Sequence, residues 1–161
     1  MKKVHLLEKI TDRFIENLAD KYGEGGFESD VFYANGSSFS EGIVAQLWLE
    51  WFCGTIYISK DLQAEFSTLV LPHGRINDDN KGIIQTCLEN FNKTYKKVNF
   101  ELAAYDSEVT NAYLDMAGID LSTDINASVE ALVCHLDTIS SIAKICYESI
   151  VATCAASNAA L

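Results

Sequence analysis

The residues Ile43-Val44-Ala45-Gln46-Leu47-Trp48-Leu49-Glu50-Trp51-Phe52 decide the fold. Their odd-numbered members, Ile43, Ala45, Leu47, Leu49 and Trp51, are wholly apolar, whereas Val44, Gln46, Trp48, Glu50 and Phe52 form a mixed set. Side chains of a strand alternate between the two faces of its sheet, so this alternation predicts a strand with the odd-numbered set on the core. Cys53-Gly54 then reads as a turn or bulge, Thr55 to Ser59 as a second strand, Lys60-Asp61 as a tight hairpin turn and Leu62 to Leu71 as a third strand. Strands joined by such short connections pair antiparallel, because a parallel pair needs a long crossover.

Downstream, Pro72 removes a backbone donor and ends the third strand, and Asn77 to Asn80 supplies residues suited to a helix N-cap. Ile83, Ile84, Cys87, Leu88 and Phe91 give the following helix a buried face through about Asn92. Val98, Phe100, Leu102 and Ala104 alternate next, Tyr105 to Glu108 is turn chemistry, and Thr110, Ala112, Leu114 and Met116 alternate again, which predicts a second hairpin. Gly118 and the cap signal Ser122-Thr123-Asp124 lead into a long helix whose stripe is Ile125, Val129, Leu132, Leu136, Ile139, Ala143, Cys146 and Ile150. Val133, Ile142 and Ile145 widen that stripe beyond a narrow coiled-coil seam, as expected of a helix that covers a sheet or a helix pair.

Upstream, Val4, Leu7, Ile10, Thr11, Phe14, Ile15, Leu18 and Tyr22 have helical spacing, and Gly23, Gly25 and Gly26 end that helix. Between Phe27 and Ser40 the signals are mixed: Val31-Phe32-Tyr33 suits a short strand, but Asn35-Gly36-Ser37-Ser38 is turn chemistry. The predicted order is helix, three strands, helix, two strands, helix: α-β-β-β-α-β-β-α, an α+β fold with an antiparallel sheet flanked by helices. No repeat, low-complexity block or linker divides the chain, so residues 1–161 read as a single domain.

With 161 residues and 48% hydrophobic content, the chain can bury a core without disulfides or metals. Its formal net charge of -11 argues against nucleic acid or anionic lipid as a partner, since neutralising phosphates requires clustered cations. Five cysteines, odd in number and set among apolar residues, read as buried thiols of a reducing compartment. Charged residues interrupt the N-terminal apolar pattern, so neither a signal sequence nor a membrane span is expected, and the location expected is cytoplasmic.

No catalytic motif emerges. His5, His73 and His135 lack partners at metal-ligand spacing, so no metal and no cofactor are expected. Cys134-His135 is the nearest approach to a reactive pair, but adjacent helical residues point about 100° apart and a structural role accounts for them better. Gly23-Glu24-Gly25-Gly26 follows a helix, the wrong context for a phosphate loop, and Asn77-Asp78-Asp79-Asn80 lacks the spacing of a calcium loop. The loop Pro72-His73-Gly74-Arg75 reads first as an ordinary strand-to-helix connection. The alternative sets His73 and Arg75 beside Asp78 and Asp79 as a group that binds an anion or acts in proton transfer. More informative are Trp48 and Phe52, with Tyr57 across the first hairpin. On a sheet face opposite the helices they would form an aromatic protein-binding surface, and otherwise they are intradomain packing.

The element order, the Leu71-Pro72 junction, the helix ending in Leu88-Glu89-Asn90-Phe91-Asn92 and the hairpin running through Gly118 into a long amphipathic helix resemble the YbjN family, which shares the type III secretion chaperone-like fold. The resemblance covers roughly Gly42 to Ile150, with the first helix matching in topology. It implies a homodimeric or partner-binding protein without enzymatic activity, either a chaperone holding an unfolded client segment or a regulatory protein. The insertion from Tyr22 to Phe27 and Cys134-His135 depart from the family pattern, and the family has no catalytic motif to carry over.

Overall fold

The computed structural model describes residues 3–23, 27–33, 42–49, 52–72, 76–96, 99–103, 108–112 and 119–159. Along the chain these form α1 (Lys3–Tyr22), β1 (Phe27–Tyr33), β2 (Gly42–Leu49), β3 (Phe52–Ser59), β4 (Gln63–Pro72), α2 (Lys81–Thr94), β5 (Asn99–Leu102), β6 (Glu108–Ala112), β7 (Ile119–Asp120) and α3 (Ile125–Ala159). The fold is α+β, with every strand pair antiparallel and the order β1-β2-β3-β4-β6-β5 across the sheet. The short β7 lies beside the start of β4, pairing Ile119 with Ala64.

Two elements join the expected order. The stretch expected to hold at most a short strand at Val31-Phe32-Tyr33 extends from Phe27 to Tyr33 and pairs along the whole of β2, Phe27 opposite Leu49 and Tyr33 opposite Ile43. The other addition is β7. The first hairpin also differs: β2 stops at Leu49, and Leu49 pairs with Phe52. Gly54, expected in a turn, sits inside β3 opposite Leu47. The turn after β3 includes Leu62, whose φ of 62° places a branched side chain in the left-handed region. Such a conformation costs about 1–2 kcal/mol, and the packing of Leu62 against the core offsets it.

One face of the sheet carries the core. Ile43, Ala45, Leu47 and Leu49 of β2 are buried, as are Phe52, Ile56 and Ile58 of β3. In β4 the buried positions are Ala64 and Phe66, then Leu71, a change of parity. A bulge accounts for it: Ile56 pairs with Phe66 but Thr55 pairs with Thr68, so one extra residue in β4 returns Leu71 to the core side.

Among the described residues three helices cover that face. Helix α1 lies over β1 and β2, α3 over β3 and β4, and α2 against β5, with α3 touching both other helices. From α1 come Leu7, Ile10, Phe14 and Leu18, and from α2 Ile84, Leu88 and Phe91. The α3 stripe is buried from Val129 to Ile150, with Ile125 packed at its start, so the chain's own sheet and helices close it. At 35 residues, α3 is about 52 Å long, longer than any strand beneath it. Beyond Ile150 its described side chains are half-buried or exposed.

The helix ends follow local chemistry. Gly23 closes α1 with φ 74° while its N–H donates to Ala19 O. Asp124 caps α3, accepting from Ala127 N–H at 3.1 Å, and the Ser128 hydroxyl bridges back to Ser122. Ahead of α2, Asn77 and Asn80 bond to each other. Asn77 Oδ1 accepts from Asn80 N–H at 3.1 Å and Asn80 Oδ1 from Asn77 N–H at 2.8 Å, which fixes the turn leading into α2, while Asn80 at the N-cap position makes no side-chain cap bond to the helix itself.

Candidate functional site

Two surfaces follow from this arrangement. The first is the sheet face away from the helices. Opposite residues of an antiparallel pair share a face, so Val44, Gln46 and Trp48 of β2 lie with Tyr57, Thr55 and Cys53 of β3. Trp48 is 37% exposed, while the others of this group are half-buried. The acids Glu28 and Asp30 of β1 and Glu65 of β4 flank the group, paired with Trp48, Gln46 and Tyr57 respectively. An indole with the carboxylate of Glu28 as its cross-strand neighbour is an amphipathic patch.

Phe52 does not belong to this surface. It is 1% exposed, within the core on the helix side. Had β2 continued to residue 52, Phe52 would share the face of Trp48; the reversal after Leu49 sets it opposite Leu49 instead. Tyr57 is on the predicted face, but its ring lies across Gly42, where any added Cβ would overlap ring carbons. Its contribution is therefore partly local, an aromatic ring covering a strand glycine.

The second surface is a cleft of about 730 Å³ between α2 and the last turns of α3. Its floor is Ile83, Cys87 and Phe91, and its α3 wall is Ser149 and Thr153. Asp78 and Asp79 stand at one end, ahead of α2. Of the loop singled out in the sequence, the structure thus places Asp78 at the cleft, while His73 and Arg75 lie outside the described residues. The sequence places Cys87 on a buried helix face, and the structure brings it against α3, its Sγ lying 3.8 Å from Thr153 Oγ1. No sequence signal joins residues 66 positions apart.

The remaining reactive side chains are dispersed. Burial pushes the Cys146 thiol up to about 12, with Cys87 contributing, and raises Cys154 in the same way. A thiol held protonated is a poor nucleophile. On α3, Cys134 is exposed and His135 half-buried, the angular separation expected of neighbours on a helix, and burial lowers the His135 pKa. Asp137 of α3 pairs with Lys21 of α1, and the hydrogen bond to Asp137 raises the lysine pKa. Among the described residues no group of three His, Cys, Asp or Glu side chains is placed to hold a metal ion.

Compared with models of protein families, with curated proteins and with solved structures, the chain has no significant match.

Proposed function

We propose that this acidic α+β chain is a non-catalytic protein-binding protein, chaperone-like or regulatory, of the kind that the YbjN and secretion-chaperone resemblance implies. The observation that carries the reading is Trp48, exposed beside Glu28 of β1 on the sheet face turned away from α1, α2 and α3. Tryptophan is enriched where protein surfaces meet because it buries a large apolar area and keeps a polar edge. The working form is a cytoplasmic homodimer holding a protein client, with no cofactor, metal, nucleic acid or membrane. By length and composition α3 is apolar enough to cross a membrane, with a mean hydropathy of 1.3. Against that use, its apolar stripe packs on the chain's own sheet, and Glu130, Lys144 and Glu148 are exposed along it.

Light scattering on the protein alone and with client N-terminal segments tests the proposal. A dimeric mass and a soluble complex that Trp48→Glu abolishes are expected. A monomer that forms no complex with any segment removes the reading. The second reading, a small-molecule or enzymatic site using the loop from His73 to Asp79, is favoured by the position of Asp78 at the α2–α3 cleft. If His73→Ala and Arg75→Ala leave ligand-induced thermal stabilisation unchanged, that use of the loop is excluded.

A further inference from the structure

We infer that the cleft between α2 and α3 is a docking groove for a lysine- or arginine-bearing amphipathic helix of a partner protein. The inference concerns a surface separate from the Trp48 face, and only its protein-binding context rests on the function proposed above. Hydrogen-bond polarity is the first argument. Thr86 Oγ1 donates to Gly82 O, Thr94 Oγ1 to Asn90 O, Ser149 Oγ to Ile145 O and Thr153 Oγ1 to Ser149 O. A hydroxyl has one proton and two lone pairs, so each of these side chains has spent its donor on its own helix and offers acceptor capacity to the cleft.

Charge has the same sign. Asp78 and Asp79 are exposed at the mouth, no Lys or Arg lines the cleft among the described residues, and the whole chain carries a net charge of -11. Asn90 also lines the cleft and can donate as well as accept, but the hydroxyl acceptors and carboxylates favour an occupant rich in cationic donors. The floor of Ile83, Cys87 and Phe91 selects an apolar side on that same occupant.

Length separates a polypeptide from a small cation. The lining runs from Asp78 to Thr94, spanning the whole of α2. Along α2 the lining follows a helix of 14 residues, about 21 Å, long enough for several turns of a docked helix, while the α3 wall is the single turn from Ser149 to Thr153.

The test uses the full chain and two fluorescent sixteen-residue helical peptides with identical leucine faces, one carrying lysines and the other glutamates on the polar face. The lysine peptide binds, with affinity falling as salt rises, and the glutamate peptide binds at least about tenfold more weakly. Neutralising the mouth with Asp78→Asn and Asp79→Asn weakens the lysine peptide about tenfold. Glu16→Gln with Asp20→Asn, the same charge change on α1, leaves it within about twofold, the scale of an exposed charge outside the contact. Ile83→Glu, checked for folding by circular dichroism, removes binding through the floor. Equal affinity for both peptides, equal weakening by the α1 pair, or loss through Trp48→Glu but not through the cleft variants overturns the proposal. Displacement of the peptide by a simple diamine at matching concentration also overturns it, in favour of a small-cation site. A dimer that holds clients through the Trp48 face would survive any of the first two failures, so the two readings fail separately.

Discussion

The carboxamide of Asn92, near the end of α2, occupies the place of a neighbouring strand along Phe100 of β5. Phe100 N–H donates to Asn92 Oδ1 at 2.8 Å, and Asn92 Nδ2 donates to Phe100 O at 2.9 Å. Because β5 is an outer strand of the sheet, these two bonds satisfy backbone groups that would otherwise await another chain. Phe100 is buried in turn, its ring edge-on to Phe91 with centroids 5.4 Å apart.

Asn92→Ala therefore removes both bonds at one edge of the sheet. The expected loss is about 1–3 kcal/mol in urea unfolding, with accelerated hydrogen exchange at the Phe100 amide. Asn92→Asp keeps the acceptor and loses the donor, so its stability should fall between those of Ala and wild type. An unchanged midpoint for Asn92→Ala would mean that water replaces the carboxamide without cost.

The contact of Tyr57 with Gly42 makes a paired prediction. Gly42→Ala forces a methyl group into the ring and should cost about 1–3 kcal/mol, the usual penalty for overpacking. Adding Tyr57→Leu should recover most of that loss, whereas two independent sites would give additive losses in the double mutant. Thermal melts of the four proteins decide it.

On α3, truncation should separate the stripe from the outer side. Leu136→Ala, at a fully buried position, is expected to cost about 2–5 kcal/mol. Ile145→Ala and Val151→Ala, both 43% exposed, should stay within about 0.5 kcal/mol unless a second chain covers them. A large cost at Ile145 that varies with protein concentration would locate a subunit contact there.

The thiols should react in a fixed order. Cys134 is exposed and takes a maleimide label first, whereas Cys146, buried and pushed up to about 12, stays unlabelled until the protein unfolds. Mass spectrometry of timed, quenched samples reads the order directly, and early labelling of Cys146 would contradict its burial.

For His135 the sign of the pH dependence follows from burial. Its folded pKa lies below the ordinary 6.5, so above that value the ring is neutral in both states and contributes no difference. As pH falls through 6.5 the unfolded chain takes the proton first, and stability drops until the folded pKa is passed. The stability of His135→Gln should vary less between pH 7 and 5 than that of the wild type, as read from urea midpoints.

Wherever one element alone carried its signal, the sequence was sufficient. The stripe from Ile125 to Ile150, the α1 pattern ending at Gly23 and the Asp124 cap of α3 depend on spacings within a few residues, which is the range over which helix geometry acts. Strand ends were different. An uninterrupted apolar run through Trp51, Phe52 and Cys53 offers no breaker, and only the pairing of Leu49 with Phe52 ends β2 and puts Phe52 in the core. The strand β1 likewise forms against β2, which lies beyond a stretch of turn residues in the chain.

The candidate surfaces divide along the same line. Alternation in the sequence placed Trp48 opposite the core residues of its strand, because side-chain direction in a strand is a local property. Its exposure depended on where three helices settled, and all of them cover the other face. The cleft was beyond the sequence altogether: Asp78, Cys87 and Thr153 meet only because α2 and α3 pack side by side, a contact set by the burial of Ile84, Leu88 and Ile150 in a shared core. Composition set the acidic character of the chain, and local geometry determined the helices and the strand faces. Long-range burial decided which of those faces met and which were left to solvent.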